Sequence, residues 1–292
     1  MDVRAVDLPE LRAELAVFTE SEEGVVYWAE HATTVSYYQS TRTNSQELGR
    51  VVRMALHGDL YAVSGSMAEL AATAGQSLDL FDMDVHDLPT PTGVLIFEQP
   101  PQLLQGPDLD GEPVRIHGAT WAAGDDGEGG YVWITPIAEQ AGHSHLMLGG
   151  PVLIPFAMAD YLASVGRVGH LTREKNLFDY LITTLRAVWL LMQQPVTEET
   201  ELQPDRAVRK RLRRVGREPA SVRLITLRRP KCGNGQGDGD REYHHQWIVR
   251  GHWRQQWYPA RQVHRPVWIA PHVKGPEGAP LIGGEKVNVL KR

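Results

Sequence analysis

The run from Thr172 to Gln194 can be accommodated in few ways. Phe178, Leu181, Ile182, Leu185, Trp189 and Met192 recur at helical spacing on one stripe; Thr172 can cap the start and Pro195 stops the end. So apolar a stripe has to be buried against another layer. At 292 residues, 42% of them hydrophobic, the chain has the material for a core that covers it. Asp179 and Arg186 interrupt the run, and no uninterrupted apolar stretch reaches the roughly 20 residues that span a bilayer. The run reads as a core helix, neither a membrane anchor nor a cofactor box.

Three more helices are expected ahead of it. Leu8, Leu11, Leu15 and Phe18 predict one from Leu8 to Phe18, with Asp7 before it and Pro9 in its first turn. Leu48, Val51, Val52 and Leu56 predict a second from Asn44 to Leu56, ending at Gly58. Ser66 to Ala74 is a third, with Ser66 as N-cap and Glu69 at the capping-box position. Val25 to Trp28 and Thr34 to Tyr38 are β-prone, within a mainly helical N-terminal part.

From Leu78 to Asp87 the residues alternate, sending Phe81, Met83 and Val85 to one side and Asp82, Asp84 and His86 to the other. Carboxylates and an imidazole so spaced could converge on a hard cation. The preferred reading is a solvent-facing acidic strand or loop, with no metal. Pro89 to Gly93 predicts a turn and Val94 to Phe97 a buried strand. Pro113 to Ala122 and Tyr131 to Ile137 predict a hairpin. Its connection, Gly124 to Gly130, is glycine-rich but acidic and lacks the Lys-Ser/Thr ending of a phosphate loop, so no nucleotide cofactor is expected. His143 and His145 read as loop residues.

Charge divides the chain sharply. From Asp205 onward there are 20 Lys and Arg against 7 Asp and Glu, a net +13; the preceding residues hold 10 against 29, a net −19. A basic terminal segment on an acidic body is a signature of contact with nucleic acid or acidic partners. Its densest part is Arg206 to Val215. On a helix Arg206, Arg209, Lys210 and Arg213 share a face, Arg214 extends the charge, and Val208, Leu212 and Val215 share the docking face.

Beyond it, Val222 to Arg229, Tyr243 to Tyr258, Arg265 to Pro271 and Lys286 to Leu290 predict about four mostly antiparallel strands. Pro230 to Asp240 reads as a flexible loop and Lys274 to Pro280 as a turn region. Strand alternation over Tyr243 to Tyr258 would put His245, Trp247, Val249, Gly251 and Trp253 on an aromatic face. His244, Gln246, Ile248, Arg250, His252 and Arg254 would form the opposite, basic face. Arg223, Arg228, Arg250 and Arg254 are all expected to be available to the sheet surface.

The fold class that follows is α+β: a mainly helical segment over residues 1–76, a mixed acidic body over 77–203 with core helix 172–194, and a basic helix plus a small antiparallel sheet over 204–292. Cys232 is the only cysteine, which excludes a disulfide framework and a cysteine-based zinc site within one chain. With no signal-peptide pattern, a cytoplasmic location is expected.

Several features occur in one order: Leu88-Pro-Thr-Pro-Thr-Gly-Val-Leu-Ile-Phe97, the helix Leu177 to Pro195 with its Trp-Leu-Leu core, Val249-Arg-Gly-His-Trp-Arg254, and Val267-Trp-Ile-Ala-Pro-His272. Over about Leu78 to His272 the chain resembles a family carried by phages, plasmids and their actinobacterial hosts, most specifically at Arg250-Gly-His-Trp253. The characterised member of that family is an anti-CRISPR protein acting against a type V-A effector nuclease. The resemblance implies a regulatory protein that lowers its target through the target's messenger RNA during translation, by recognising the emerging N-terminal peptide. RNA, a ribosome with its nascent peptide, or another protein are the partners implied.

The residues themselves support three readings. In the first, Arg206, Arg209, Lys210, Arg213, Arg214, Arg250, His252, Trp253 and Arg254 contact RNA by charge and stacking, with no catalysis. In the second, a metal-independent ribonuclease draws on His244, His252 and Arg250 as base, acid and phosphate clamp; a straight strand would hold those imidazoles about 25 Å apart. In the third, Arg-Gly-His-Trp is structural, Gly251 admitting a close neighbour.

Overall fold

The computed structural model describes residues 3–27, 45–79, 81–107, 111–125, 130–140, 145–157, 177–228, 244–276 and 279–280. The expected features at Thr34 to Tyr38, His143, the Thr172 cap, Pro230 to Asp240 and Lys286 to Leu290 lie outside them. Two compact units are present, Met1–Arg228 and Arg229–Arg292.

In the first unit, nine strands form one sheet: β1 (Asp59–Val63), β2 (Thr92–Phe97), β3 (Gln105–Pro107), β4 (Pro113–Asp125), β5 (Gly130–Gln140), β6 (Met147–Leu148), β7 (Val152–Pro155), β8 (Thr197–Leu202) and β9 (Val222–Leu227). The order is β6-β5-β4-β2-β1-β9-β8, with β3 added to β4 and β7 to β5. β1 runs parallel to β2 on one side and to β9 on the other; the remaining pairs are antiparallel. Central parallel strands are covered on both faces and read as continuous apolar runs, as Leu60-Tyr-Ala-Val63 and Val94-Leu-Ile-Phe97 do.

Successive residues of those strands serve opposite layers. Leu60, Ala62, Val94, Ile96 and Val222 pack with α1 (Leu8–Glu20) and α2 (Ser45–Leu56) through Leu8, Leu11, Leu15, Val52 and Leu56. On the other face Tyr61 meets Trp121, and Trp121 in turn meets Trp189 of α4 (Leu177–Met192), each ring pair with centroids 5.6 Å apart. Gly93 makes room for that stack, since a Cβ there would stand 2.4 Å from Trp121 Cζ2. α3 (Gly65–Gln76) crosses α4 closely, and a Cβ on Gly75 would meet the Thr183 carbonyl oxygen at 2.6 Å. The apolar stripe expected on α4 is thus the inner surface of one outer layer.

Several expectations change. The mainly helical N-terminal part also holds β1, a central strand that was not expected there. β9 joins the large sheet rather than the C-terminal one, so boundaries at 76/77 and 203/204 both cut through the first unit. The N-cap of α3 is Ser64, not Ser66, and Glu69 accepts the Gln102 N–H at 3.3 Å instead of closing a capping box. Residues Val85–Asp87 form a 3-10 turn, within the acidic strand or loop that alternation had suggested. Its carboxylates cap backbone: Asp84 accepts the His86 N–H at 2.7 Å and Asp87 accepts the Asp84 N–H at 2.8 Å. Val85 is exposed. Among the described residues no group of three His, Cys, Asp or Glu is placed to hold a metal ion, and no helix is long and apolar enough to cross a membrane.

The second unit holds two antiparallel ladders, β10 (Trp247–Val249) with β13 (His272–Lys274), and β11 (His252–Tyr258) with β12 (Val263–Ile269). The single strand expected over Tyr243 to Tyr258 is broken at Arg250 and Gly251, and its two halves pair in different ladders. A Cβ on Gly251 would lie 2.4 Å from Trp268 Cζ2.

Candidate nucleic-acid interface

α5 (Arg206–Arg214) is built to project charge. Asp205 caps its start by accepting the Val208 N–H at 2.9 Å, and that bond, with a second from the Ala207 N–H, holds the carboxyl below its ordinary range. Gly216, at φ +69°, closes the end: its N–H reaches the Arg213 carbonyl at 3.2 Å and the Arg217 N–H reaches that of Leu212 at 3.0 Å. Val208 and Leu212 are buried against Ala13 of α1. Val215, expected on that docking face, is instead 65% exposed just past the helix.

The docking angle sorts the cations. Arg211 turns to α1 and donates two bonds to Glu10, at 2.5 and 2.7 Å. Arg217 pairs with Glu20 at 2.8 Å. Arg206, Arg209, Lys210, Arg213 and Arg214 point the other way, are exposed, and have no side-chain hydrogen bond or ion pair with any described residue. At 100° per residue these five occupy an arc of about 140°, and their side chains border one shallow open depression.

Among the other expected surface cations, Arg223 is engaged. Arg223 bonds Asp59 at 2.9 Å and the Tyr61 hydroxyl at 3.2 Å, with Glu199 at 3.7 Å, so it contributes no free charge. In the second unit Arg250, His252 and Arg254 are exposed. Arg254 donates to Gln256 at 2.9 Å, and His252 Nδ1 donates to the Arg250 carbonyl at 3.0 Å. Trp253 lies on the opposite side of β11 from His252 and Arg254, half-buried and edge-on to Trp268 with centroids 5.2 Å apart. His244 precedes β10 while His252 opens β11, so the straight-strand separation no longer describes the pair.

The nine residues expected to bind nucleic acid therefore fall five in the first unit and four in the second. The sequence reading missed Trp257 and Tyr258, which are 44% and 40% exposed at the end of β11, Trp257 resting 4.9 Å from the His264 ring. Exposed rings of this kind offer stacking surface. The signal was present as an aromatic pair directly before Pro259, at a strand end where nothing follows to bury it.

No protein-family model matches the chain and no curated protein does. Among solved structures, the crystal structure of the anti-CRISPR protein AcrVA2 aligns over 92% of this chain and 85% of that one, at 16% identity and a TM-score of 0.40. That is a weak structural relationship and no more.

Proposed function

We propose that this chain is a non-catalytic regulatory protein that binds RNA, free or in a translation complex, through the outer face of α5, and so lowers expression of a target. One observation carries the RNA-binding part: five cations share that face without an acidic partner among the described residues, while the cations flanking them are paired. A helix that merely needed solvation could spread its charge; this one gathers it opposite its docking face. The anti-CRISPR-like outcome is suggested by the sequence resemblance alone.

Neutralising phosphates with five side chains releases bound counterions, so log K should fall against log salt with a slope of about −0.7 per contact, or −3.5, on a single strand. Affinity for a labelled single-stranded RNA, followed by anisotropy, is then expected to drop about 100-fold between 50 and 200 mM salt. Arg209→Gln with Arg213→Gln should flatten the slope by about 1.4. Absent or salt-insensitive binding overturns the proposal. RNA recovered uncut in EDTA is expected; cleavage that disappears in His252→Ala would make the protein a nuclease instead.

For Gly251 and Trp253 a structural role is favoured by a specific contact: Trp268 occupies the space a side chain at 251 would need, and Trp253 packs on the same ring. Within Arg250-Gly-His-Trp253, only Arg250 and His252 face solvent.

A further inference from the structure

A second cationic concavity lies in the first unit. α1, the end of α2 and the turn after α5 enclose a cleft of about 260 Å³ bordered by Arg12, Arg53, His57, Arg217, Glu20 and Glu218 over an apolar floor. Of the three guanidinium groups only that of Arg217 has a described partner, Glu20. Arg12 is half-buried, and burial pushes its pKa down, with the Arg217 charge adding to the effect. A partly desolvated cation facing a like charge is costly to keep unless an anion joins it. Sequence patterning hides this site, because its cations come from three separated segments.

We propose that the cleft binds a phosphoryl group, as free phosphate or as the phosphate of a small monoester, with Arg12 its principal ligand and Arg53 the second, while Arg217 beside them stays paired with Glu20. Guanidinium forks match phosphate oxygens in pairs. Arg12 and Arg53, the two guanidinium groups here without a described partner, have enough N–H donors for a tetrahedral oxyanion, which presents more acceptor oxygens than a carboxylate does. The volume falls just below the range of about 300–1,000 Å³ typical of drug-sized ligands, so a phosphoryl group with a small substituent fits and a dinucleotide does not. This site is separate from the outer face of α5 and stands or falls independently of RNA binding.

The test is thermal unfolding of the full chain in inorganic phosphate against chloride at matched ionic strength, with glycerol phosphate as a second arm. Phosphate should raise the melting temperature by several degrees, and Arg12→Gln should weaken that response at least tenfold while its circular dichroism stays native. Arg53→Gln serves as a second variant should the first not fold, and is expected to weaken the response also. Glu218→Gln removes a repelling charge and should tighten binding by about two- to tenfold. A stronger response to glycerol phosphate identifies a monoester site, a weaker one a site for the free ion. No phosphate-specific shift in the wild type, or undiminished shifts in both arginine variants, overturns the proposal. Arg209→Gln should leave the phosphate response intact, which separates this site from α5.

Discussion

Replacing Lys210 by glutamine should make the protein more stable and a weaker ligand for RNA. Lys210 stands one helical turn from Arg206, Arg213 and Arg214, at i−4, i+3 and i+4, and none of the four has a described acidic partner. Like charges at those spacings each destabilise a helix by about 0.2–0.5 kcal/mol. Three such pairs amount to about 0.6–1.5 kcal/mol. Glutamine and lysine have nearly equal helix propensity, so the substitution isolates the charge. In a domain of this size each kcal/mol moves the melting temperature by about 2–4 °C, giving an expected rise of about 1–6 °C in 10 mM salt. In 1 M salt, where the screening length is about 3 Å, the gain should vanish. The same variant should lower the salt slope of RNA binding by about 0.7. Scanning calorimetry at the two salt concentrations decides the matter. A gain that persists in 1 M salt, or no gain in 10 mM, refutes the reasoning, because the five cations would then not be repelling one another.

Gly216→Ala forces a side chain to φ +69° with open space around it, so the cost is purely conformational, about 1 kcal/mol, and should appear as a small fall in the melting temperature. Trp189→Ala removes a fully buried ring from the stack with Trp121 and should cost about 3–5 kcal/mol, measured as a shift in the urea midpoint. His117 is buried in β4 with Nε2 3.1 Å from Glu139; burial lowers its pKa from 6.5, outweighing the raising effect of that bond. The unfolded chain therefore takes up a proton that the folded one resists: the stability is whole above pH 6.5 and declines as pH falls below it, and His117→Gln should flatten the urea midpoint between pH 7.5 and 5.5.

What could be read from the residues was whatever a local period reveals. α1, α2, α4 and α5 each carry a stripe of large apolar residues at helical spacing, and the start of α1 and the end of α4 fell close to where Pro9 and Pro195 placed them. β1 escaped because its four buried residues, covered on both faces, show no alternation, and its place in the sheet depends on pairing with β9, more than 150 positions away. The same long-range pairing drew β9 out of the C-terminal module. Within Tyr243 to Tyr258, alternation was projected across Gly251, where the contact with Trp268 interrupts the strand. Arg211 and Arg223 could not be sorted from their neighbours by sequence, since the acids that hold them, Glu10 and Asp59, lie far off along the chain.

The position of α5 bears on what its charge can do. It connects β8 to β9, which are hydrogen-bonded neighbours, and it docks on α1, so both ends and one side are fixed by the large sheet and its covering layer. Its nine residues extend about 13.5 Å at 1.5 Å each, enough for a short stretch of phosphate backbone. Contacts of lysine and arginine with phosphate carry no sequence information. Selectivity for a particular message therefore cannot originate in α5; it has to come from groups that read bases or peptide, such as the exposed rings at the end of β11, or from surfaces of the acidic body that recognise a protein.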